Sequence, residues 1–156
     1  METTRTHLPT VRLAAVRETV PLSQLTSFFD QAYGRVAHAV GREGWTIVGA
    51  AVAWYPGMPT DTVDLAAGFP VEGAEPGVTE DGIEVFEVPG GTALVMTHAG
   101  PYDGLPDAWA VVEEDRAALG VPGRGDFWEE YVTDPSPEGD PGLNLTRLVL
   151  PLRTDG

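Results

Sequence analysis

Phe127-Trp128-Glu129-Glu130-Tyr131-Val132-Thr133, running into Asp134-Pro135, reads as a strand that ends in a turn. A helix pattern precedes it and another apolar run follows, so this one reading sets the element order of the second half. Strand alternation places Phe127, Glu129, Tyr131 and Thr133 on one face and Trp128, Glu130 and Val132 on the other. Whichever face is buried, an acid goes in beside an aromatic ring. A buried carboxylate is costly without a partner, and such a conflict between pattern and charge marks a functional site. An acid among aromatic rings suits an organic cation. The plain alternative is an edge strand with both acids in water, and spacing leaves the two readings open.

Upstream, Pro106 opens a helix whose apolar stripe is Leu105, Ala108, Trp109, Val112 and Leu119, stopped by Gly120 and Pro122. Before it, residues 83–88 and 92–98 read as strands joined at Pro89-Gly90-Gly91. Residues 143–152 form the closing strand. The first half has the same plan. Residues 10–19 read as a strand, and Pro21 suits a first helical turn. Leu25, Phe28, Phe29, Ala32, Val36, Ala39 and Val40 make one helical stripe, ended by Gly41 and Gly44. Tyr33 sits beside that stripe and reads as a core-edge residue. Residues 45–55 and 62–71 are strands around a turn at Pro56-Gly57-Met58-Pro59. Strand, helix, strand, strand therefore occurs twice, as pseudo-repeats of roughly 10–72 and 83–152 with a polar connector at 73–82. Tyr55 and Tyr131 hold corresponding places. Two βαββ units side by side leave a cleft between them, where ligand sites are favoured.

The 156 residues make one α+β domain, able to bury about two-thirds of its unfolded surface. No apolar run is long enough for a membrane helix, and residues 1–9 lack the apolar core of a signal peptide. There is no cysteine, hence no disulfide and no thiolate site, which fits a cytoplasmic location. All nine basic residues are arginine. The net charge of −15 is uneven: residues 72–140 hold 17 acids against only Arg116 and Arg124. Such a field repels nucleic-acid phosphates and attracts cations. His98 is a lone strand histidine without a second ligand for a metal. Gly90-Gly91 is followed by a strand and not by a phosphate-binding helix. No nucleophile-elbow motif is present. The expectation is a protein with no cofactor and no metal.

The run from Pro89 through Thr97-His98-Ala99-Gly100-Pro101-Tyr102-Asp103-Gly104-Leu105, followed by Trp109, resembles the GyrI-like small-molecule-binding family. This is also the effector-binding domain of some multidrug-responsive bacterial transcription regulators. The turn after Tyr55, the segment Asp64-Leu65-Ala66-Ala67-Gly68-Phe69-Pro70-Val71, and the Trp128–Pro135 stretch agree with it in order. The resemblance implies a duplicated βαββ (SHS2-like) fold, an eight-stranded antiparallel arrangement with two long helices, and a central aromatic cleft. It implies that Glu129, two residues before Tyr131, lies in the pocket. Glu130, where the family more usually has an apolar residue, is the reserve acid. Tyr131, Tyr55, Trp109 and Tyr102 are the candidate cleft walls, Tyr102 at one end. Nothing in the chain reads as a DNA-binding helix-turn-helix, so a stand-alone domain is expected.

Three functions compete. The first is a binding module for flat, amphipathic, often cationic compounds, with Glu129 offsetting the charge. The second, implied by stand-alone members that the chain resembles, is hydrolysis of cyclopropane-containing DNA-alkylating natural products. Glu129 would then be the base and Tyr131 or Tyr55 the donor to the developing oxyanion. The third is contact with a protein partner such as DNA gyrase through the acidic surface.

Overall fold

The computed structural model describes residues 3–57, 60–132 and 144–153, apart from the side chain of Tyr102. Its strands are β1 (Thr4–Leu8), β2 (Val11–Pro21), β3 (Thr46–Ile47), β4 (Ala51–Tyr55), β5 (Thr62–Glu72), β6 (Gly77–Val78), β7 (Glu84–Val88), β8 (Gly91–Ala99), β9 (Phe127–Tyr131) and β10 (Leu145–Pro151). Two helices, α1 (Leu25–Glu43) and α2 (Leu105–Leu119), complete the described residues apart from single 3-10 turns. All strand pairs are antiparallel, and the sheet order is β1-β8-β10-β9-β4-β5-β2-β7-β6, with β3 also on β5. From the β4–β9 seam outwards, β4-β5-β2 on one side matches β9-β10-β8 on the other. The expected α+β, antiparallel architecture is therefore present.

The described residues form ten strands, where the resemblance implied eight and the segments read as strands by their periodicity number seven; the three beyond those seven have local causes. The run expected as one strand over 45–55 is split. Ile47 pairs with Val71 and Val52 with Gly68, so two extra residues bulge out between them. Gly49 lies in the bulge, where a Cβ would stand 2.7 Å from Pro70 Cγ. The polar residues before Pro9 supply β1, an edge strand on β8. The connector holds β6, two residues on β7.

α1 buries Phe28, Ala32, Val36, Ala39 and Val40, the stripe expected from 3.6-residue spacing. It continues past Gly41 and stops at Gly44, whose φ of 75° is the left-handed conformation that ends helices. Pro21 closes β2 instead of opening the helix, and a 3-10 turn at Leu22–Gln24 intervenes. Pro106 does sit in the first turn of α2, which ends at Gly120.

The sheet has two unlike faces. On one, α1 packs over Val16, Ala53, Leu65, Ala67 and Val85, and α2 over Leu94, Met96, Leu148 and Leu150. On the other, Leu13, Ala15, Val52, Ala66, Val88, Ala93, Trp128 and Val149 form a core built from strands alone. Those residues come from both ends of the sheet, so the sheet curls to bury its own inner face. Burying each large apolar side chain contributes roughly 1.5–3 kcal/mol. Close strand approach at β2–β5 requires Gly68: a Cβ there would lie 1.9 Å from the Ala14 carbonyl oxygen. No helix among the described residues is long and apolar enough to cross a membrane.

Candidate functional site

β9 is an internal strand, paired with β4 on one side and β10 on the other. The edge-strand alternative for its two acids is thereby excluded. Glu129 lies between Ala53 and Leu148 in register. Its side chain is on the helix-covered face and only 8% exposed. Ala53 is small, which leaves room above the strand for the carboxylate and the rings around it. Both Glu129 oxygens are engaged. The Trp109 indole N–H donates to Oε2 at 2.7 Å, and the Tyr131 hydroxyl donates to Oε1 at 2.7 Å. Short hydrogen bonds to an ionised carboxylate are stronger than neutral ones and offset its lost hydration. Both donors are uncharged, and no arginine pairs with Glu129 among the described residues.

Above this carboxylate is a cavity of about 700 Å³. Its floor is Ala51, Tyr55, Glu129 and Tyr131, with Phe69 of β5 beside them. One wall is α1, through Leu25, Thr26, Phe29, Asp30 and Tyr33; Leu105, at the start of α2, is opposite. Phe29 and Tyr33 stack in parallel planes with centroids 6.0 Å apart. Tyr33 meets Phe69 and Tyr131 edge-on, and its hydroxyl donates to the Val52 carbonyl at 3.1 Å. Tyr55 stacks on Phe127 at 5.0 Å. Burial, and then the neighbouring Glu129 charge, push the Tyr131 phenol well above its usual range. The same two causes raise Tyr55, opposed by its hydrogen bond with Tyr131. Both phenols are therefore protonated donors at neutral pH. Asp30 stands exposed on α1 and adds a second negative charge to the cavity wall.

The expected residues meet in part. Glu129, Tyr131 and Tyr55 share the floor, and Trp109 reaches them through Glu129 from α2. Trp54, next to Tyr55 on β4, faces the other way: it packs on the strand-only core while Tyr55 joins the helix-covered one. Glu130 lies on the far face. There it accepts the Trp128 indole N–H at 2.9 Å and pairs with Arg147 at 3.6 Å. The side chain of Tyr102 lies outside the described residues. His98 is buried, with Nε2 donating to the Pro101 carbonyl at 3.0 Å.

The sequence reading left out the α1 wall: Tyr33 packs at the edge of the core, as expected, and also lines the cleft. A signal was present in the spacing. Leu25, Phe29 and Tyr33 recur every four residues, one step round the helix from the buried Phe28-Ala32-Val36 row. A merged stripe hides that second row.

A match to the family model of the GyrI-like small molecule binding domain spans residues 1–153. The chain belongs to the GyrI-like family. Among solved structures, those with the same fold include the EcmrR C-terminal domain. That domain has a TM-score of 0.79 at 18% identity, with 99% of this chain and 98% of that one covered. EcmrR in its complex with DNA gives a TM-score of 0.83 at 19% identity; this chain spans 58% of that protein's length. SAV2435 bound to tetraphenylphosphonium gives 0.70 at 11% identity, covering 98% of this chain and 94% of that one. Curated protein sequences give no match. As a GyrI-like chain, it is a small-molecule-binding domain.

Proposed function

We propose that the cleft takes up amphipathic aromatic cations, for sequestration or sensing. The observation that carries this is Glu129: a buried carboxylate, held by two neutral donors, without a cationic side chain beside it among the described residues. Its charge is compensated best by a cation brought in by the ligand. Phe29, Tyr33, Phe69, Tyr55 and Tyr131 supply ring faces and edges, each worth roughly 0.5–2 kcal/mol against a cation or an aromatic ring. Trp109 orients the acid. The tetraphenylphosphonium held by SAV2435, a protein of the same fold, supports this ligand class. We read the two halves as duplicated βαββ units, with the cleft at their junction. The test is a titration with tetraphenylphosphonium or a rhodamine dye on wild type and Glu129→Gln. Equal affinity for the two proteins refutes the reading.

One observation favours a second reading. The Tyr131 hydroxyl touches Glu129 and Tyr55 adjoins it, so an acid and two protonated phenols share an apolar floor. That set suits hydrolysis of a strained electrophile such as an activated cyclopropane. Glu129 takes a proton from water as its oxygen bonds to the ring carbon. The ring C–C bond breaks toward the conjugated carbonyl, and a phenol donates to the oxyanion that forms. Mass spectrometry after incubation with such a substrate decides it: a product heavier by one water supports hydrolysis, and intact substrate refutes it.

A further inference from the structure

On the strand-only face lies a second cavity of about 260 Å³, which shares no lining residue with the cleft. Its walls are mostly apolar, Leu13, Val52, Trp54 and Trp128 among them, and it also takes in Glu130 and Arg147. Trp128 fixes Glu130 by donating to Oε2 at 2.9 Å. Arg147 Nη1 stands 3.6 Å from Glu130 Oε1, an ion pair too long for a hydrogen bond. Nε of Arg147 has no partner among the described residues. So Oε1 keeps acceptor capacity and the guanidinium keeps donors, side by side in an apolar cavity.

We propose that this cavity binds a small, flat, uncharged molecule carrying a cyclic amide or urea edge. The ligand N–H donates to Glu130 Oε1 and its carbonyl accepts from an Arg147 Nη. Charge selects this class. An anion meets Glu130, a cation meets Arg147, and either gives up hydration without a matched counter-charge. A neutral group with donor and acceptor on one edge satisfies both members of the pair, while its rings replace water against the apolar wall. The volume suits one ring or two fused rings, against the larger occupant that the 700 Å³ cleft admits. The proposal does not depend on what the cleft binds.

The test is a titration of the nitrogen-15-labelled full chain with 2-quinolone, followed by NMR at the tryptophan indole N–H signals. Trp54 and Trp128 line this cavity, whereas Trp109 reports on Glu129 in the cleft. The expected result is movement of the Trp54 and Trp128 signals with Trp109 still. N-methyl-2-quinolone, which lacks the N–H, should bind at least about tenfold more weakly to wild type. Arg147→Leu should weaken 2-quinolone by a similar factor. The proposal is overturned by unmoved signals at millimolar ligand or by equal affinity for the methylated compound. It is also overturned by a response centred on Trp109, which would put the lactam in the cleft.

Discussion

Glu129 and Glu130 are adjacent in sequence and opposite in circumstance. Each accepts an indole N–H, from Trp109 and Trp128 respectively. Each has a further partner, and there they diverge. Glu130 has the guanidinium of Arg147, a compensating charge. Glu129 has the hydroxyl of Tyr131, which orients a carboxylate without cancelling it. The more buried acid is thus the uncompensated one, and it faces the larger cavity. In the proposed reading, burial by itself does not mark the ligand site; burial with neutral donors does, because the ligand then supplies the missing positive charge.

The sharpest way to break this comparison is to neutralise each acid in turn. Glu129→Gln is predicted to weaken binding of tetraphenylphosphonium about thirtyfold. That is roughly 2 kcal/mol, from a charge pair at effective dielectric about 20 discounted for ligand hydration. Glu130→Gln should change it by less than about threefold, since that charge is already paired and lies across the sheet. Calorimetric titration of both variants checks it. Equal losses would mean that the field of the whole acidic chain, not one placed carboxylate, attracts the ligand.

A second test uses the phenols. Tyr55 and Tyr131 are raised above the unfolded value near 10 by burial and by Glu129. A raised folded pKa gives stability that is complete below the unfolded pKa and is lost as pH climbs toward the folded one. Stability should therefore fall as pH rises beyond about 10. Two of the four tyrosines should fail to ionise, by phenolate absorbance, until the chain unfolds. Four phenols titrating together in the folded protein would show that the cleft floor is wet.

The fold was legible because its signals are periodic. The helix stripes, Gly44, Gly120 and Pro106 placed both helices, and alternation placed Glu129 and Tyr131 on one face. What stayed hidden depends on pairing between distant segments. The bulge around Gly49 forms against Pro70, whose ring has no N–H for the ladder, and the polar β1 becomes a strand only because β8 has a free edge. Which face of β9 carries the cleft was likewise undetermined, since alternation is symmetric. The choice is made by two helices on one side and sheet curl on the other. The cleft-lining side of Tyr33 stays hidden beside its core-edge packing because a helix row that lines a cavity has the same spacing as one that fills a core.

Removing one neutral donor should have a smaller effect. Tyr131→Phe takes away the 2.7 Å bond to Oε1 and leaves a buried carboxylate one partner short. The predicted loss is about 1–2 kcal/mol of stability, read by denaturant unfolding. Trp109→Phe should match it in sign. A Tyr131→Phe protein as stable as wild type would mean that Glu129 finds another donor, and the account of a pre-set carboxylate would fail.

The smallest effect belongs to the far face. Glu130 and Arg147 are partly exposed and 3.6 Å apart, so screening limits what their attraction contributes. A double-mutant cycle of Glu130→Gln and Arg147→Met should give a coupling of about 0.5–1 kcal/mol. Cation affinity in the cleft should stay unchanged throughout the cycle. A coupling well above that range would show that the apolar walls around the pair, Trp54 and Trp128 foremost, strip it of water. The two acids would then differ in partner alone and no longer in burial. A coupling of zero together with altered cation affinity would mean that Arg147 acts across the sheet on Glu129. The separation of the two faces, which rests on alternation along five residues of β9, would not survive that result.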